Sequence, residues 1–422
     1  MSDQPKEIQC IDWRRCFAFL EILRAFRMSF RPMSLLLCFA AVAGTFGLAV
    51  LTDQIPDLGQ TKVYSHSVYE NLRFVGTSTL WGNWAMPWET PARASSGDFT
   101  GFVMAPVRVA ASLVDLAWKY WVEAPYFALV NTVLALALWS LVGGAVCRMA
   151  AVRTAREETL PWRDAVCFAV RKWPSSATCL LMPFGVLVLL AILVGAPTGL
   201  ALMIPYVGEI GVGLAFGLTL LVGVVLAFIL VGGVASAGLQ WPTLAAEGSD
   251  SFDAISRSVS YVTTRPWKYL FYTAFATAYG CLTFIFVKLM AFLTLRITHE
   301  AVSTFSWGSG EAQDKLCRLW AQPLLANPWP EAGYQVFGGE GTAMYFIAAW
   351  VWIVLGMAMA FLPSFFFTSQ TIVYFLLRKS VDATDIEEVY MEESDEDELP
   401  IGGLEVEPAP AATAEPSKPA ES

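Results

Sequence analysis

Charge is what this sequence lacks most. Asp, Glu, Lys and Arg make up 15% of its 422 residues, against about 25% in an ordinary soluble domain. A chain so poor in charge cannot clothe a water-facing surface of its size, which excludes a soluble globule. Histidine is nearly missing too: His66 and His299 are the only two, so a His-based metal centre would need both, drawn from segments far apart. The motifs that announce chemistry do not occur, with no G-x(4)-G-K-[ST], H-E-x-x-H, C-x-x-C or G-x-S-x-G anywhere. Phosphate cradles, zinc-protease, dithiol and serine-hydrolase chemistry therefore have no support in the sequence, and no cofactor is expected. Eight cysteines are present, but Cys10, Cys16, Cys147 and Cys167 lie in basic segments, Cys38, Cys179 and Cys281 in apolar runs, and only Cys317 stands apart. No disulfide framework fits that distribution.

What the chain has instead is apolar length. Hydrophobic residues make up 56% of it, and they gather in uncharged blocks of about 18 or more residues, enough to cross a ~30 Å hydrocarbon core. Six blocks qualify: Ser34 to Leu51, Tyr126 to Val146, Ala177 to Gly195, Val212 to Val234, Tyr269 to Val287, and a longer run from Ala343 to Leu377 with Pro363 inside it. The fold class expected is an all-α polytopic membrane protein of six transmembrane helices, the last of them tilted or kinked at Pro363.

Charge also sets the expected orientation. With the N-terminus inside, 18 of the 27 Lys and Arg fall in inner segments and 7 in outer ones, while Lys288 and Arg296 lie at or beyond the outer end of the fifth span, where Lys288 can snorkel to the interface. That positive-inside bias places both termini in the cytoplasm. It divides the chain into an inner segment 1–33, the first span, an outer segment 52–125, a five-helix membrane domain 126–379 with an outer loop 298–342, and a tail 380–422. Beyond Lys379 the tail holds 14 acidic residues and one lysine, whereas the preceding 379 residues carry a net charge of +3. A tail so anionic is repelled by nucleic acid and by anionic lipid, and is too poor in apolar residues to fold alone. It docks a basic cytoplasmic partner or hangs free in solvent.

Several amphipathic segments flank the spans. Phe19, Ile22, Leu23, Phe26 and Phe30 recur at helical spacing, with Glu21, Arg24, Arg27 and Arg31 opposite. This reads either as an interfacial helix whose arginines meet lipid phosphates or as a helix packed on the protein's own inner side. The first span follows as a retained signal anchor. In the outer segment Trp81, Trp84 and Trp88 fall within eight residues and suit the headgroup layer; an aromatic ligand cage is the other reading. After Pro106 a second interfacial helix is expected, with Val107, Ala110, Val114, Ala117, Trp118 and Trp121 on its apolar stripe.

Internal comparison points to a duplication. Glu158, Asp164, Ala165 and Val166 align at an offset of 89 with Glu247, Asp253, Ala254 and Ile255, and each copy runs into a Trp/Pro/basic cluster before the next span. Each copy then reads as span, cytoplasmic helix, span, and two such units would be related by an axis along the membrane normal. In the second, Asp250 would cap the short helix and Phe252, Ile255, Val259 and Val262 would form its apolar face. The stretch from Trp241 to Ser258, with Glu247-Gly248 followed by Ala254, Arg257 and Ser258, resembles the membrane domain attached to some bacterial glycerophosphoryl diester phosphodiesterases, and related membrane proteins of unknown function. That resemblance, covering Tyr126 to Val287, implies a fold and a bacterial cytoplasmic (inner) membrane. It implies no activity, because the chain has no phosphodiesterase barrel and no metal ligands to match.

No span interior holds Asp, Glu, Lys or Arg, so an ion-coupled pump is not expected. Asn131, Thr132, Thr219 and the Thr368-Ser-Gln370-Thr run suffice for helix packing, and Gly213/Gly217 and Gly356/Ala360 give small-xxx-small spacings within or between chains. The functional expectation is a non-catalytic scaffold or partner-binding membrane protein, with a transport component for a lipid or small neutral solute as the alternative. A homo-oligomer stays open.

Overall fold

The structure, a computed structural model, describes residues 17–54, 105–305, 316–317, 319–325, 328, 339–385 and 387–390. Among the described residues every regular element is a helix and none is a strand. A 3-10 segment, Ala18–Leu23, leads into α1 (Arg24–Ser29). Then come α2 (Pro32–Asp53), α3 (Ala105–Glu123), α4 (Pro125–Arg156), α5 (Trp162–Arg171), α6 (Trp173–Leu202), α7 (Val207–Glu247), α8 (Ser251–Thr264), α9 (Pro266–Phe305) and α10 (Gly339–Val381). Six of these, α2, α4, α6, α7, α9 and α10, are long and apolar enough to cross a membrane, and they contain the six expected blocks.

Starts and stops follow from local chemistry. Pro32, Pro125, Pro174 and Pro266 stand in the first turn of their helices, where a missing N–H costs little. At the other end α7 stops at Gly248, whose φ of 62° lets its N–H return to the Leu244 carbonyl. Glu157 closes α4 in the same left-handed conformation, at φ 60°. The helices overrun the apolar blocks: α7, α9 and α10 have 41, 40 and 43 residues, about 60 Å each at 1.5 Å rise. The edge of an apolar block is a solvation boundary, and nothing there breaks a helix. Pro363 lies within an uninterrupted α10.

The core is built around the second half of α10, where Phe361, Val373, Tyr374 and Leu377 have no exposure. Its neighbours come close because glycine allows it. A Cβ at Gly143 of α4 would stand 2.6 Å from the Trp241 ring of α7, one at Gly280 of α9 2.6 Å from Phe365, and one at Gly356 of α10 2.7 Å from Phe39 of α2. The pair α6 and α7 is different. They meet each other through the four-residue turn Met203–Tyr206, where a Cβ at Gly208 would collide with the Ala201 carbonyl oxygen at 1.8 Å. Their most apolar stretches are nevertheless almost bare, with 6% of the α6 stretch and none of the α7 stretch buried, against 28–39% in the other four spans.

The structure decides between the two readings of the N-terminal segment and departs from expectation in α8 and at Lys288. The N-terminal segment is packed on the bundle: Ile22 and Ala25 are fully buried, Phe19 and Phe26 meet Phe275 and Phe361 edge-on, and the Ser364 hydroxyl donates to the Ser29 carbonyl. In α8, Asp250 occupies the N-cap position but makes no capping bond. The face of α8 turned to the protein is Ala254, Ser258, Tyr261 and Val262, while Phe252 is 70% exposed. Lys288 does not reach for an interface: with Ala291, Leu295 and His299 it lies on one buried face of α9, itself 2% exposed.

Candidate functional site

The richest polar chemistry sits where α7, α8 and α10 end together. On α7, Ser236, Gln240, Thr243 and Glu247 recur at helical spacing, the first three fully or almost fully buried and the Glu247 side chain 9% exposed. Such a stripe is costly in an apolar bundle unless partners meet it. Thr243 meets Ser258 of α8 at 3.1 Å. Glu247 accepts a hydrogen bond from the Tyr374 hydroxyl of α10 on Oε1 and forms an ion pair with Arg257 of α8, whose Nη1 lies 2.9 Å from Oε2, with Arg378 Nε at 3.9 Å from Oε1. Arg257 also donates from Nε to Asp253 Oδ1 at 3.0 Å.

The corner extends into the start of the tail. Tyr261 donates to Asp382 Oδ2 at 2.5 Å, and Arg378 donates to the Glu388 carbonyl at 2.7 Å. Across the bundle Arg148 of α4, only 4% exposed, donates to the Ala245 carbonyl at 2.7 Å and lies 4.5 Å over the Phe168 ring. A cation there complements the C-terminal end of α7. The bond to Asp253 raises the Arg257 pKa, and burial, reinforced by the bond to Asp382, raises that of Tyr261. Both groups are thereby held in their protonated forms. The Glu247 carboxylate is committed to Tyr374 and Arg257, so the corner is arranged as a latch between three helices and the tail root.

The motif singled out in the sequence maps onto this latch residue by residue. Glu247 is its anion, Gly248 the left-handed stop, Ala254 the fully buried contact that lets α8 lie against Cys179 and Leu244, Arg257 the partner cation and Ser258 the link to Thr243. The first unit shares less. Ala165 is fully buried like Ala254, but Glu158 and Asp164 are exposed, and Phe168 and Ala169 stand where Arg257 and Ser258 would align.

The other expected site residues are dispersed. Trp118 and Trp121 of α3 are 69% and 45% exposed. Trp81, Trp84, Trp88 and His66, and the acidic run from Glu392, lie outside the described residues. Arg24 is engaged with Glu21 at 3.0 Å and Glu157 at 2.6 Å and so is not open to lipid phosphates; Arg27 is exposed and Arg31 half-buried. His299 is 3% exposed, with Nε2 3.2 Å from the Trp320 carbonyl oxygen and its ring edge-on to that indole. Among the described residues no three His, Cys, Asp or Glu come together as a metal site would require.

Sequence reasoning passed over Tyr374, Tyr261, Arg378 and Arg148. The signal was available in the polar spacing of Ser236, Gln240, Thr243 and Glu247, which points at a buried polar face. The chain matches no family model, no curated protein and no solved structure.

Proposed function

We propose that this chain is a non-catalytic integral membrane protein that binds a membrane-embedded partner through the α6–α7 hairpin. The observation that carries the reading is a contrast among glycines. In the bundle Gly143, Gly280 and Gly356 are used for close approach and Gly47 stands open, whereas Gly185, Gly195, Gly199, Gly211, Gly213, Gly217, Gly223 and Gly232 on the hairpin have nothing within 4 Å of a Cβ position. Each glycine costs a helix about 0.5–1 kcal/mol relative to alanine, and the return on that cost in a membrane is close helix packing. The occupant is a transmembrane helix of another protein or of a second copy. The Glu247 latch supports a structural role, because its carboxylate is spent on holding α7, α8 and α10 together.

In this reading the latch end faces the cytoplasm of a bacterial inner membrane, in keeping with the basic asymmetry of the sequence. The acidic tail is a second contact for a basic partner. The two units α4–α5–α6 and α7–α8–α9 descend from a duplication, which the shared element order, the left-handed stops at Glu157 and Gly248 and the buried Ala165 and Ala254 support. The N-terminal segment and α3 flank the membrane surface.

The test is crosslinking in native membranes from cysteines placed at Gly213 and Gly217. A discrete crosslinked species is expected from each position, abolished for the Gly213 cysteine by adding Gly217→Leu and for the Gly217 cysteine by adding Gly213→Leu, while the thermal stability of the purified chain is unchanged. Absence of any protein crosslink from either position sinks the reading.

A further inference from the structure

A cavity of about 280 Å³ lies between α2, α3 and α4, walled by residues that include Thr45, Leu48, Leu113, Trp121, Phe127 and Asn131. It exists because the chain turns back at Ala124: Pro125 opens α4, and Tyr120 near the end of α3 folds over Phe127 with ring centroids 6.1 Å apart. Buried Ala49, Ala124 and Ala128 bring α2 and α4 together above the hollow, and α3 leans across it. We propose that this cavity holds one acyl chain of a bilayer lipid.

The walls argue for hydrocarbon. Thr45 donates to the Ala41 carbonyl at 2.8 Å and receives the Trp139 indole N–H at 3.2 Å. Asn131 donates to the Phe127 carbonyl at 3.1 Å and takes the Thr52 hydroxyl on Oδ1 at 3.2 Å. Thr45 and Asn131 are thus engaged with the protein, most of the remaining wall is apolar, and a water needs about 2–4 polar partners to stay. An apolar cavity about half this size stays dry and takes up benzene, so this one accommodates a longer stretch of hydrocarbon.

Depth and access argue for a lipid tail in particular. Thr45 lies eight residues inside the end of α2 at Asp53, about 12 Å along the helix, which is hydrocarbon depth in a ~30 Å core. The rim carries Leu113 and Trp121, 42% and 45% exposed. A chain already dissolved in the adjoining bilayer can slide between them without crossing water. The inference is independent of the hairpin reading, which concerns a different face of the molecule.

The test uses the full chain reconstituted in nanodiscs containing phosphatidylglycerol that bears a photoreactive diazirine midway along one acyl chain. After photolysis, label is expected to concentrate on peptides covering 113–135. Ala117→Trp and Thr132→Phe, both at exposed positions of the wall, fill the hollow without touching the core. Overpacking should lower label there about tenfold or more, while a Leu214→Trp control on the hairpin leaves it unchanged. Label undiminished in both filled variants overturns the proposal. So does label spread evenly over α6 and α7 in the unaltered protein. Absence of acyl label from these walls, the outcome if the chain's own residues 55–104 or a partner helix occupies the hollow, overturns it as well.

Discussion

Replacing Glu247 by alanine should destabilise the protein far more than replacing the arginine it pairs with. The Glu247 side chain is 9% exposed, and its removal leaves the Tyr374 hydroxyl without its acceptor and the Arg378 guanidinium, itself 14% exposed, with Glu388 alone at 3.8 Å, in the end of an apolar bundle. Breaking a buried pair from one side costs about 3–5 kcal/mol. Arg257, at 47% side-chain exposure, is another matter. Water replaces it, and an exposed partner contributes at most about 1 kcal/mol. Tyr374→Phe removes only the hydroxyl, a hydrogen bond to a charged group worth about 1.5–3 kcal/mol, and it should couple to Glu247→Ala in a double-mutant cycle. The order expected is therefore Glu247→Ala, then Tyr374→Phe, then Arg257→Ala. Thermal unfolding of the purified protein in micelles reads it, and hydrogen exchange locates it: the amides of α8 should open first in Glu247→Ala. An Arg257→Ala variant as damaged as Glu247→Ala would refute the reasoning, because the cost would then belong to the visible ion pair and not to the buried side of the carboxylate.

Gly143→Leu should cost about 1–3 kcal/mol by overpacking, since its Cβ would meet the Trp241 ring at 2.6 Å, whereas Gly223→Leu, with open space, should leave thermal stability unchanged. In sealed cells a membrane-impermeant maleimide should reach the exposed Cys317 but modify the exposed Cys167 only after permeabilisation; Cys147 has no exposure and should stay silent throughout. Labelling of Cys167 in intact cells would invert the topology. Tyr261 has a folded-state pKa raised above its ordinary value of 10.0, by burial first and by its bond to Asp382 second. A raised pKa contributes stability that is complete below the unfolded value and lost as pH climbs beyond it. Tyr261→Phe should therefore flatten the alkaline limb of a stability-versus-pH curve, and an unaltered limb would count against the bond.

The spans were legible in the sequence for a reason that has nothing to do with tertiary structure. Any segment crossing hydrocarbon must be apolar over its whole length whatever it packs on, so six blocks sufficed to find α2, α4, α6, α7, α9 and α10. The motif around Glu247 was legible as a pattern, because Gly248 and Ala254 are demanded by backbone and contact. Its meaning was not, because Tyr374, Arg378 and Asp382 arrive from more than a hundred residues away.

The failures share one cause, which is that hydrophobicity does not distinguish a protein neighbour from a lipid. In water the most apolar face of a helix is its buried face. Beside a bilayer that inference loses its force, since lipid tails are as apolar as leucine. In α8 the apolar periodicity selected Phe252, Ile255, Val259 and Val262, of which only Val262 is buried, while the chain packs Ala254 and Ser258 inward and leaves Phe252 outside. Size and hydrogen bonding decided it: Ala254 reaches Cys179 and Leu244, and Ser258 meets Thr243, contacts that a phenylalanine at either position would hold open. Residues 18–29 show the same logic from the other side. On one of the two readings their arginines formed a lipid-facing stripe, but Arg24 turns to Glu157, and the small Ala25 and Ser29 are buried against the bundle together with Ile22. In a chain of this kind small residues report protein contact and large apolar ones report only the absence of water. On that rule the open glycines of α7 are the part of the sequence that its own fold leaves unexplained.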